Sequence, residues 1–378
     1  MKEIRGTEQD RELGEVKKNE ARWRIVAMAG DWTESQSPGW NAINEALYPV
    51  YGGTEPMHWG TLVSWRLGGP DPIHGISAYR NNRLRNHLHF ITYGFSELWE
   101  KEGDDPKISG FGFELTFRLA CGPDEKPPVW PLNFLQNLGR YVFSTGRSFG
   151  AGHSMSLNGP IALDQATRIG AITFAIDPEL PAIDTPNGHV TFLQIVGLTE
   201  DELSAIEAWD GSRFLDLVIE QNELLITDLG RDSYLADPNF AARVRALTET
   251  EGASAEAVWC NRASFECSGG TSCHLTFGAT VAIDLAHRLP GRIPHGRPFA
   301  VLTDDLAIVL EPGARFSWEE ATDGLRVALT AEQCKIFIAE LLKPRAGTYS
   351  SHSLPGLTVR IEKTVIKDDE GNVVRVVG

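Results

Sequence analysis

The sequence predicts a two-domain protein of the α+β class, in which sheets pack against amphipathic helices. The chain has 378 residues, whereas one domain typically has about 100–200. Segments whose apolar residues recur every second position, as in strands, occur beside segments with a helical period. A hydrophobic share of 42% and a charged share of 23% are typical of a globular protein.

The clearest strand lies at residues 109–119. Its alternate positions carry large apolar side chains, namely Phe111, Phe113, Leu115, Phe117 and Leu119. The positions between them carry Gly112, Glu114, Thr116 and Arg118. This pattern predicts a central strand with one buried face and one polar face. Gly110 and Gly112 predict a bulge or a close backbone approach at its start.

The other elements follow from start and stop signals. Ser37 and Pro38 begin a helix that ends at Gly52 and Gly53, and capping boxes at 199–202 and 330–333 begin two more. Further helices are predicted over 132–142, 214–221 and 241–253. Strands are predicted at 58–67, 87–95, 171–175, 190–196, 224–229, 273–285 and 300–310, with a hairpin over 357–377.

The same signals divide the chain into domains. We expect a charged lead-in at 1–30, an N-terminal domain at 31–250, a linker at 251–272 and a C-terminal domain at 273–378.

Composition excludes several classes of function. A formal net charge of −16 disfavours nucleic acids and anionic membrane surfaces, because both need clustered basic residues. No apolar run is long enough to cross a membrane, and residues 1–19 lack an apolar signal core. Five cysteines are an odd number, which favours free thiols in a reducing compartment. We therefore expect a cytoplasmic monomer without a cofactor.

Three groups of residues are candidates for catalysis or metal binding. His87 and His89 share one face of a strand and would need further metal ligands, such as His74 or Glu97. The alternative interpretation is a pair of buried histidines bonded to backbone carbonyls.

Cysteines 260, 267 and 273 lie near His274, but their spacing matches no common zinc pattern, and free thiols are the alternative. Ser148 stands in a Gly-x-Ser-x-Gly sequence, yet it follows a helical segment instead of a strand. These residues alone give no argument for catalysis.

Several long motifs, in order along the chain, resemble the Suppressor of fused family. They are LGGPDP at 67–72, HLHFITYGFSEL at 87–98, SGFGFELTFRL at 109–119, GRYVF at 139–143, the stretch 185–197, LITD at 225–228, HLTF at 274–277 and GRIPHGRPF at 291–299. The resemblance covers residues 38–363 and both domains. The chain looks like a compact bacterial-type member, because only a short linker at 262–271 stands where animal members carry a long insertion.

The resemblance implies two domains with mixed sheets and packed helices, and no catalysis. In animal members an extended peptide of a Gli-type transcription factor is added as a strand in a cleft between the domains. Those proteins are cytoplasmic negative regulators of Hedgehog signalling. The peptide-binding tyrosine corresponds to Tyr141, and the binding strand corresponds to Ala253, Ser254 and Ala255.

Two departures from the family pattern alter the expected partner. An aspartate that binds the peptide in the family corresponds to His153, and a glutamate corresponds to Ile176. Losing these charges would cost a Gli-type peptide about 2–5 kcal/mol of binding free energy. The resemblance to bacterial relatives implies a protein-binding module that neutralises a toxin as an immunity protein. A transcription-factor regulator and an enzyme built on His87, His89 or Ser148 are the alternatives.

Overall fold

The protein is described by a computed structural model covering residues 23–25, 37–63, 65–367 and 372–378. The chain divides into two compact units. Of the described residues, those up to 198 and those of 215–232 form the N-terminal unit, and those of 199–214 and 233–378 form the C-terminal unit. The predicted boundaries at 250 and 272 stay a prediction. In the described residues, the predicted linker carries two strands.

Seven labelled helices are used below. They are α1 (Pro38–Tyr51), α2 (Trp130–Thr145), α3 (Glu200–Ala208), α4 (Gly211–Ile219), α5 (Pro238–Glu251), α6 (Ala279–Arg288) and α7 (Ala331–Ile336), the last continued by a π-helical turn at Phe337–Leu341. Short 3₁₀ turns lie at Trp65–Leu67, Tyr234–Ala236, Leu289–Gly291 and Ile293–His295. Among the described residues, no helix is both long enough and apolar enough to cross a bilayer.

The first nine strands belong to the sheet of the N-terminal unit. They are β1 (Trp23–Ile25), β2 (Met57–Thr61), β3 (Gly75–Asn81), β4 (His87–Tyr93), β5 (Ile108–Ala120), β6 (Ser154–Ser156), β7 (Ile169–Ile176), β8 (Ile183–Thr185) and β9 (Gly188–Thr199). Their order is β1-β2-β3-β4-β5-β9-β7-β6, with β8 paired to β9. The strand pair β5–β9 is parallel, and β4–β5 is antiparallel, so the sheet is mixed as expected.

The predicted central strand is confirmed, but its polar face is not exposed. Helix α2 covers the face that carries Phe117, and α1 belongs to the cluster on the other face. Glu114, Thr116 and Arg118 are consequently buried as well. The alternation correctly showed which residues share the polar face, but it could not show that this face is buried, because a second covering layer depends on distant parts of the chain.

Most polar atoms of the buried polar face of β5 are bonded in an internal ion-pair network, whereas Nε of Arg118 has no hydrogen-bond partner among the described residues. Both guanidinium Nη atoms of Arg118 donate to the carboxylate of Asp177, at 2.8 and 3.0 Å. Thr116 donates to the same carboxylate, and Arg118 also pairs with Glu179. Buried charges need such partners. The two glycines behave as predicted, since Gly110 and Gly112 have φ of +56° and +81° at a register shift.

The remaining eleven strands form the C-terminal unit. They are β10 (Ala257–Trp259), β11 (Ala263–Ser268), β12 (Ser272–Gly278), β13 (Phe299–Leu302), β14 (Ala307–Pro312), β15 (Ser317–Ala321), β16 (Gly324–Leu329), β17 (Gly347–Ser350), β18 (Leu357–Glu362), β19 (Thr364–Lys367) and β20 (Val373–Val377). One sheet has the order β10-β13-β14-β16-β15, and another has β11-β12-β18-β17. Both sheets and helices α6 and α7 contribute to one apolar core. The predicted mixed α+β architecture is confirmed.

Four predicted strands differ from the structure. The predicted strand 58–67 ends at Thr61, and Trp65–Leu67 form a 3₁₀ turn. Residues 224–229 form turns with one isolated bridge, from Leu119 to Thr227. The segment 273–285 is a strand only to Gly278 and then becomes α6. The sequence does not show this boundary, because a run of apolar residues is compatible with both a strand and a helix. The segment 300–310 is two strands joined by a turn. Both predicted capping boxes, at Thr199 and Thr330, are present.

Candidate functional site

In the N-terminal unit, a stack of three aromatic rings runs from the surface into the core. The ring of Tyr141, on α2, stacks on Phe149 with centroids 5.7 Å apart. Phe149 stacks in turn on Phe174 of β7 at 4.3 Å. Tyr141 is 38% exposed, whereas Phe174 is buried. Tyr141 therefore presents a rigid, half-exposed aromatic surface, which is the kind of anchor that protein-binding sites use.

His153 and Ile176 are both connected to β7, the strand that carries Phe174. The carbonyl of His153 accepts hydrogen bonds from the N–H of Phe174 and the hydroxyl of Thr173. Its Nδ1 accepts from the N–H of Gly150 at 3.2 Å, which fixes the ring on its own turn. Ile176 is two residues beyond Phe174 at the end of β7 and is 51% exposed. The structure thus links Tyr141 to Phe174 through Phe149, bonds the backbone of His153 to Phe174, and places Ile176 two residues along the same strand.

In the C-terminal unit, the predicted binding strand begins later than expected. Ala253 is buried, its N–H donates to Gly291, and its carbonyl accepts from Arg292 and Arg297. The N–H of Ser254 donates to Trp209. These backbone groups are already bonded within the unit, so an added strand would find them occupied. The strand that corresponds to the prediction is β10, which starts two residues after Ala255.

Strand β10 is the edge of its sheet. It pairs in parallel with β13, and no other strand of the described chain pairs with it. The carbonyl of Glu256 and the N–H of Cys260 bond to β13. Because alternate residues of a parallel strand bond to the same neighbour, the backbone of Ala257 points away from β13. The edge therefore offers a donor and an acceptor to an extended segment.

A pocket of about 670 Å³ lies beside this edge. Its lining includes Ser254, Ala257, Arg292 and Arg297. Arg292 is buried and donates only to backbone carbonyls, those of Ala253, Ser254 and Pro298. Burial lowers the pKa of Arg292, and the carboxylate of Glu256 opposes that shift. Arg292 thus holds the wall of the pocket in place, while Arg297 is exposed to solvent.

Of the two histidines of the metal hypothesis, His87 has Nδ1 2.9 Å from the carbonyl oxygen of Arg85 but no hydrogen-bond partner at Nε2 among the described residues, whereas both ring nitrogens of His89 are engaged. Nε2 of His89 lies 3.2 Å from Asp177, and Nδ1 lies 2.7 Å from the hydroxyl of Tyr51. Burial and the charge of Arg118 lower the pKa of His89 to about 4, so the ring is neutral near pH 7. A neutral ring donates from Nε2 to the carboxylate and accepts from Tyr51 at Nδ1. Neither nitrogen is left to bind a metal ion.

The cysteine and serine candidates are likewise separate from any catalytic arrangement. Cys267 and Cys273 are opposite each other in the β11–β12 pair and form a disulfide, which differs from the expected free thiols. The described residues contain no group of three or more potential ligands that could hold a metal ion. Ser148 lies in irregular chain after α2, where a nucleophile elbow would require a strand before it and a helix after it.

Sequence reasoning missed the residues that connect the predicted ones. Phe149 and Phe174 were not singled out, although they carry the contact from Tyr141 to the turn of His153. Arg292 and Arg297 lie in a motif that was recognised without a role for its arginines. The carbonyls of Ala253 and Ser254 that they bind are about 40 residues away in sequence, so no local pattern indicated these contacts.

Comparison with known proteins gives consistent matches. The sequence profile of the Suppressor of fused protein family matches residues 69–232. The human and mouse Suppressor of fused homologs are each 37% identical over 230 residues, which is 56% of this chain and 47% of theirs. The chain thus spans about half the length of these curated relatives.

Solved structures extend the similarity in fold. The crystal structure of Drosophila Suppressor of Fused superposes with a TM-score of 0.70 at 23% identity, covering 87% of this chain and 98% of that one. A chain in the crystal structure of the Sufu–Fu complex gives a TM-score of 0.52 at 31% identity, covering 55% of this chain and 98% of that one.

Proposed function

Because the chain belongs to the Suppressor of fused family, we propose that it is a non-enzymatic module that binds a partner protein through an extended segment. The observation that carries this proposal is the open edge of β10 beside its pocket. A similar chain was crystallised in a Sufu–Fu complex, which supports a protein as the partner. The proposal includes no catalytic step.

The partner segment adds to β10 as a further strand. Its backbone bonds to the outward N–H and carbonyl of Ala257, and side chains on alternate positions enter the pocket beside Arg297. Tyr141 supplies a second contact surface on the N-terminal unit, backed by Phe149. His153 and Ile176 give that surface no carboxylate, in contrast to the pattern expected for a Gli-type peptide. We therefore propose a peptide that does not depend on acidic groups at these positions.

The overall charge indicates the class of partner. A formal net charge of −16 favours association with a basic protein, because complementary charge speeds encounter and excludes acidic competitors. We propose a basic toxin as that partner, with this chain as the immunity protein that covers it in the cytoplasm. Sequestration of a transcription factor, as in Hedgehog signalling, is the alternative, and it predicts a DNA-binding protein as the captured partner.

The test is affinity capture from the lysate of the source organism, followed by binding of the identified partner in purified form. Two variants are compared with the unchanged protein. Ala257→Pro removes the outward N–H without touching the bonds of β10 to β13. Tyr141→Ala removes the half-exposed ring. The control Tyr48→Ala removes another exposed tyrosine, which belongs to α1 and not to α2 or β10.

We expect one captured protein, weakened at least tenfold by Ala257→Pro and by Tyr141→Ala and unchanged by Tyr48→Ala. Thermal unfolding of every variant confirms that the fold is intact. A partner that binds both variants as tightly as the unchanged protein contradicts the proposed surfaces. The identity of the partner, basic toxin or DNA-binding protein, decides between immunity and transcriptional regulation.

A further inference from the structure

The N-terminal unit contains a second pocket, of about 330 Å³, that the proposed function does not use. It lies beside the loop that follows β4 and the start of β5. Its aromatic walls are Trp65, Phe95, Trp99, Phe111 and Phe143. The volume is within the range of small-ligand pockets and can hold one long side chain with its neighbours. We call it the β4–β5 pocket.

The floor of the β4–β5 pocket is held by a buried carboxylate. Oε1 of Glu114 accepts the N–H of Gly94 at 2.8 Å, and the N–H and hydroxyl of Ser96 at 3.0 and 2.6 Å. Oε2 accepts the hydroxyl of Thr92. Burial raises the pKa of Glu114, and these hydrogen bonds oppose the rise. The backbone at 94–96 is therefore fixed, so little ordering is required when a ligand enters.

The loop wall of the pocket is fixed in the same way. One carboxylate oxygen of Glu97 accepts the N–H groups of Glu102 and Gly103, and the other pairs with Lys101 at 2.9 Å. The N–H of Glu97 itself donates to Ser109 at 2.9 Å. A surface loop with this many internal bonds has a defined shape, which is the condition for selective recognition.

The charges that line the pocket have one sign. Its lining includes Glu97, Glu100 and Glu102, and no lysine or arginine is among the described lining residues. Lys101 compensates one of these carboxylates through its pair with Glu97. Glu100 and Glu102 are exposed at the rim. The pocket is thus complementary to a positively charged group.

The aromatic walls favour the same kind of ligand. Trp65 is 39% exposed and meets Phe143 edge to face at 6.3 Å, and Phe111 meets Phe143 at 4.9 Å. His74 meets Trp99 edge to face at 4.5 Å. Ring faces attract guanidinium and ammonium groups, most strongly where the rings are tryptophan. An aromatic wall beneath an acidic rim is the arrangement that binds such a cation and its alkyl stem together.

We infer that the β4–β5 pocket binds an arginine or lysine side chain of a partner polypeptide. The partner is a polypeptide because exposed apolar residues adjoin the wall at Trp65. Leu62 and Leu67 are 59% and 81% exposed on the same short segment. These residues provide contacts for apolar neighbours of the basic side chain, which a free cation would lack. Neither Tyr141 nor a residue of β10 lines this pocket, so it constitutes an additional binding surface.

The test uses a defined peptide, acetyl-Ala-Leu-Arg-Leu-Ala-amide, and the same peptide with citrulline in place of arginine. Citrulline keeps the shape of arginine and removes the charge. Binding to the full chain is followed by NMR through the indole N–H signals of Trp65 and Trp99. We expect the arginine peptide to shift these signals and to bind about tenfold more tightly than the citrulline peptide.

Two variants with matched controls locate the site. Trp65→Ala should weaken the arginine peptide about tenfold, while Trp259→Ala, which removes an exposed tryptophan of the other unit, should not. The double change Glu100→Gln and Glu102→Gln should weaken binding of the arginine peptide about fivefold. The control pair Glu45→Gln and Glu55→Gln removes the same charge at other exposed positions and should leave this affinity unchanged. Thermal unfolding verifies that each variant is folded.

Two results overturn the inference. One is equal affinity for the arginine and citrulline peptides, and the other is the absence of indole shifts at millimolar peptide. Tyr141→Ala and Ala257→Pro should leave the affinity for this peptide unchanged. Failure here is therefore distinguishable from failure of the proposed function, which depends on those two residues.

Discussion

Replacing Asp177 by Asn should destabilise the N-terminal unit far more than the same change at an exposed Arg–Asp pair. Asp177 binds both Nη atoms of Arg118, and both side chains are fully buried. Asn keeps the size of Asp, but it removes the negative charge and turns one acceptor into a donor. Arg118 then loses its main counter-charge in the interior, and the adjacent His89 loses its acceptor.

The magnitude follows from the bonds that are lost. Removing one partner of a buried pair typically costs about 3–5 kcal/mol, because the other charge stays buried. Asp177 also accepts the backbone N–H groups of Glu179 and Leu180 and the hydroxyl of Thr116. We therefore expect the upper part of that range, about 5 kcal/mol. Glu179, which also contacts Arg118, prevents a larger loss.

The control is Asp232→Asn. Asp232 pairs with Arg168 at 3.1 Å, but their side chains are 80% and 67% exposed. Exposed pairs contribute about 0–1 kcal/mol. Urea unfolding followed by circular dichroism, with tryptophan fluorescence as a second probe, gives both free energies of unfolding. Similar losses at Asp177 and Asp232, or a loss under about 1 kcal/mol at Asp177, would refute the reasoning that burial sets the cost.

Three further predictions concern stability. Burial lowers the pKa of His58 to about 4, so between pH 6.5 and 4 the unfolded state binds more protons than the folded state. The free energy of unfolding should therefore fall by about 3 kcal/mol as the pH is lowered from 6.5 to 4, and His58→Phe should reduce this pH dependence in urea titrations at several pH values. Burial raises the pKa of Asp284 to about 6, so the folded protein is destabilised relative to the unfolded protein as the pH rises from 4 to 6. In the same titrations, Asp284→Asn should raise the free energy of unfolding by up to about 3 kcal/mol at pH 7 and leave it unchanged at pH 4. In urea unfolding, Gly110→Ala should lower the free energy of unfolding by more than about 2 kcal/mol, because the new Cβ would lie 2.5 Å from a backbone oxygen. The control Gly146→Ala, also at a left-handed residue but with open space around it, should lower it by only about 1 kcal/mol.

The elements with local signals were predictable from sequence. The period-two run at 109–119 specified β5, and Pro38 with Gly52 marked the ends of α1. Capping boxes located the starts of α3 and α7. These succeed because the interactions that form them lie within a few residues. The segment 273–285 failed, since its change from strand to α6 is decided by packing on the core of the C-terminal unit.

The candidate site divides in the same way. The sequence by itself determined the family resemblance and, through it, predicted Tyr141, His153 and Ile176 as candidate binding residues. Only the tertiary structure linked Tyr141 and His153 to Phe174 and showed that Ala253 and Ser254 have their backbone groups occupied.

The tertiary structure also decided that Glu114 and Arg118 are buried, because the exposure of a side chain depends on what packs over it. The sequence determined which residues share the polar face of β5. The tertiary structure supplied Asp177 as the partner of Arg118 and turned Glu114 into the support of the β4–β5 pocket. These partners are distant in sequence, so no local pattern could have shown that the polar face is interior.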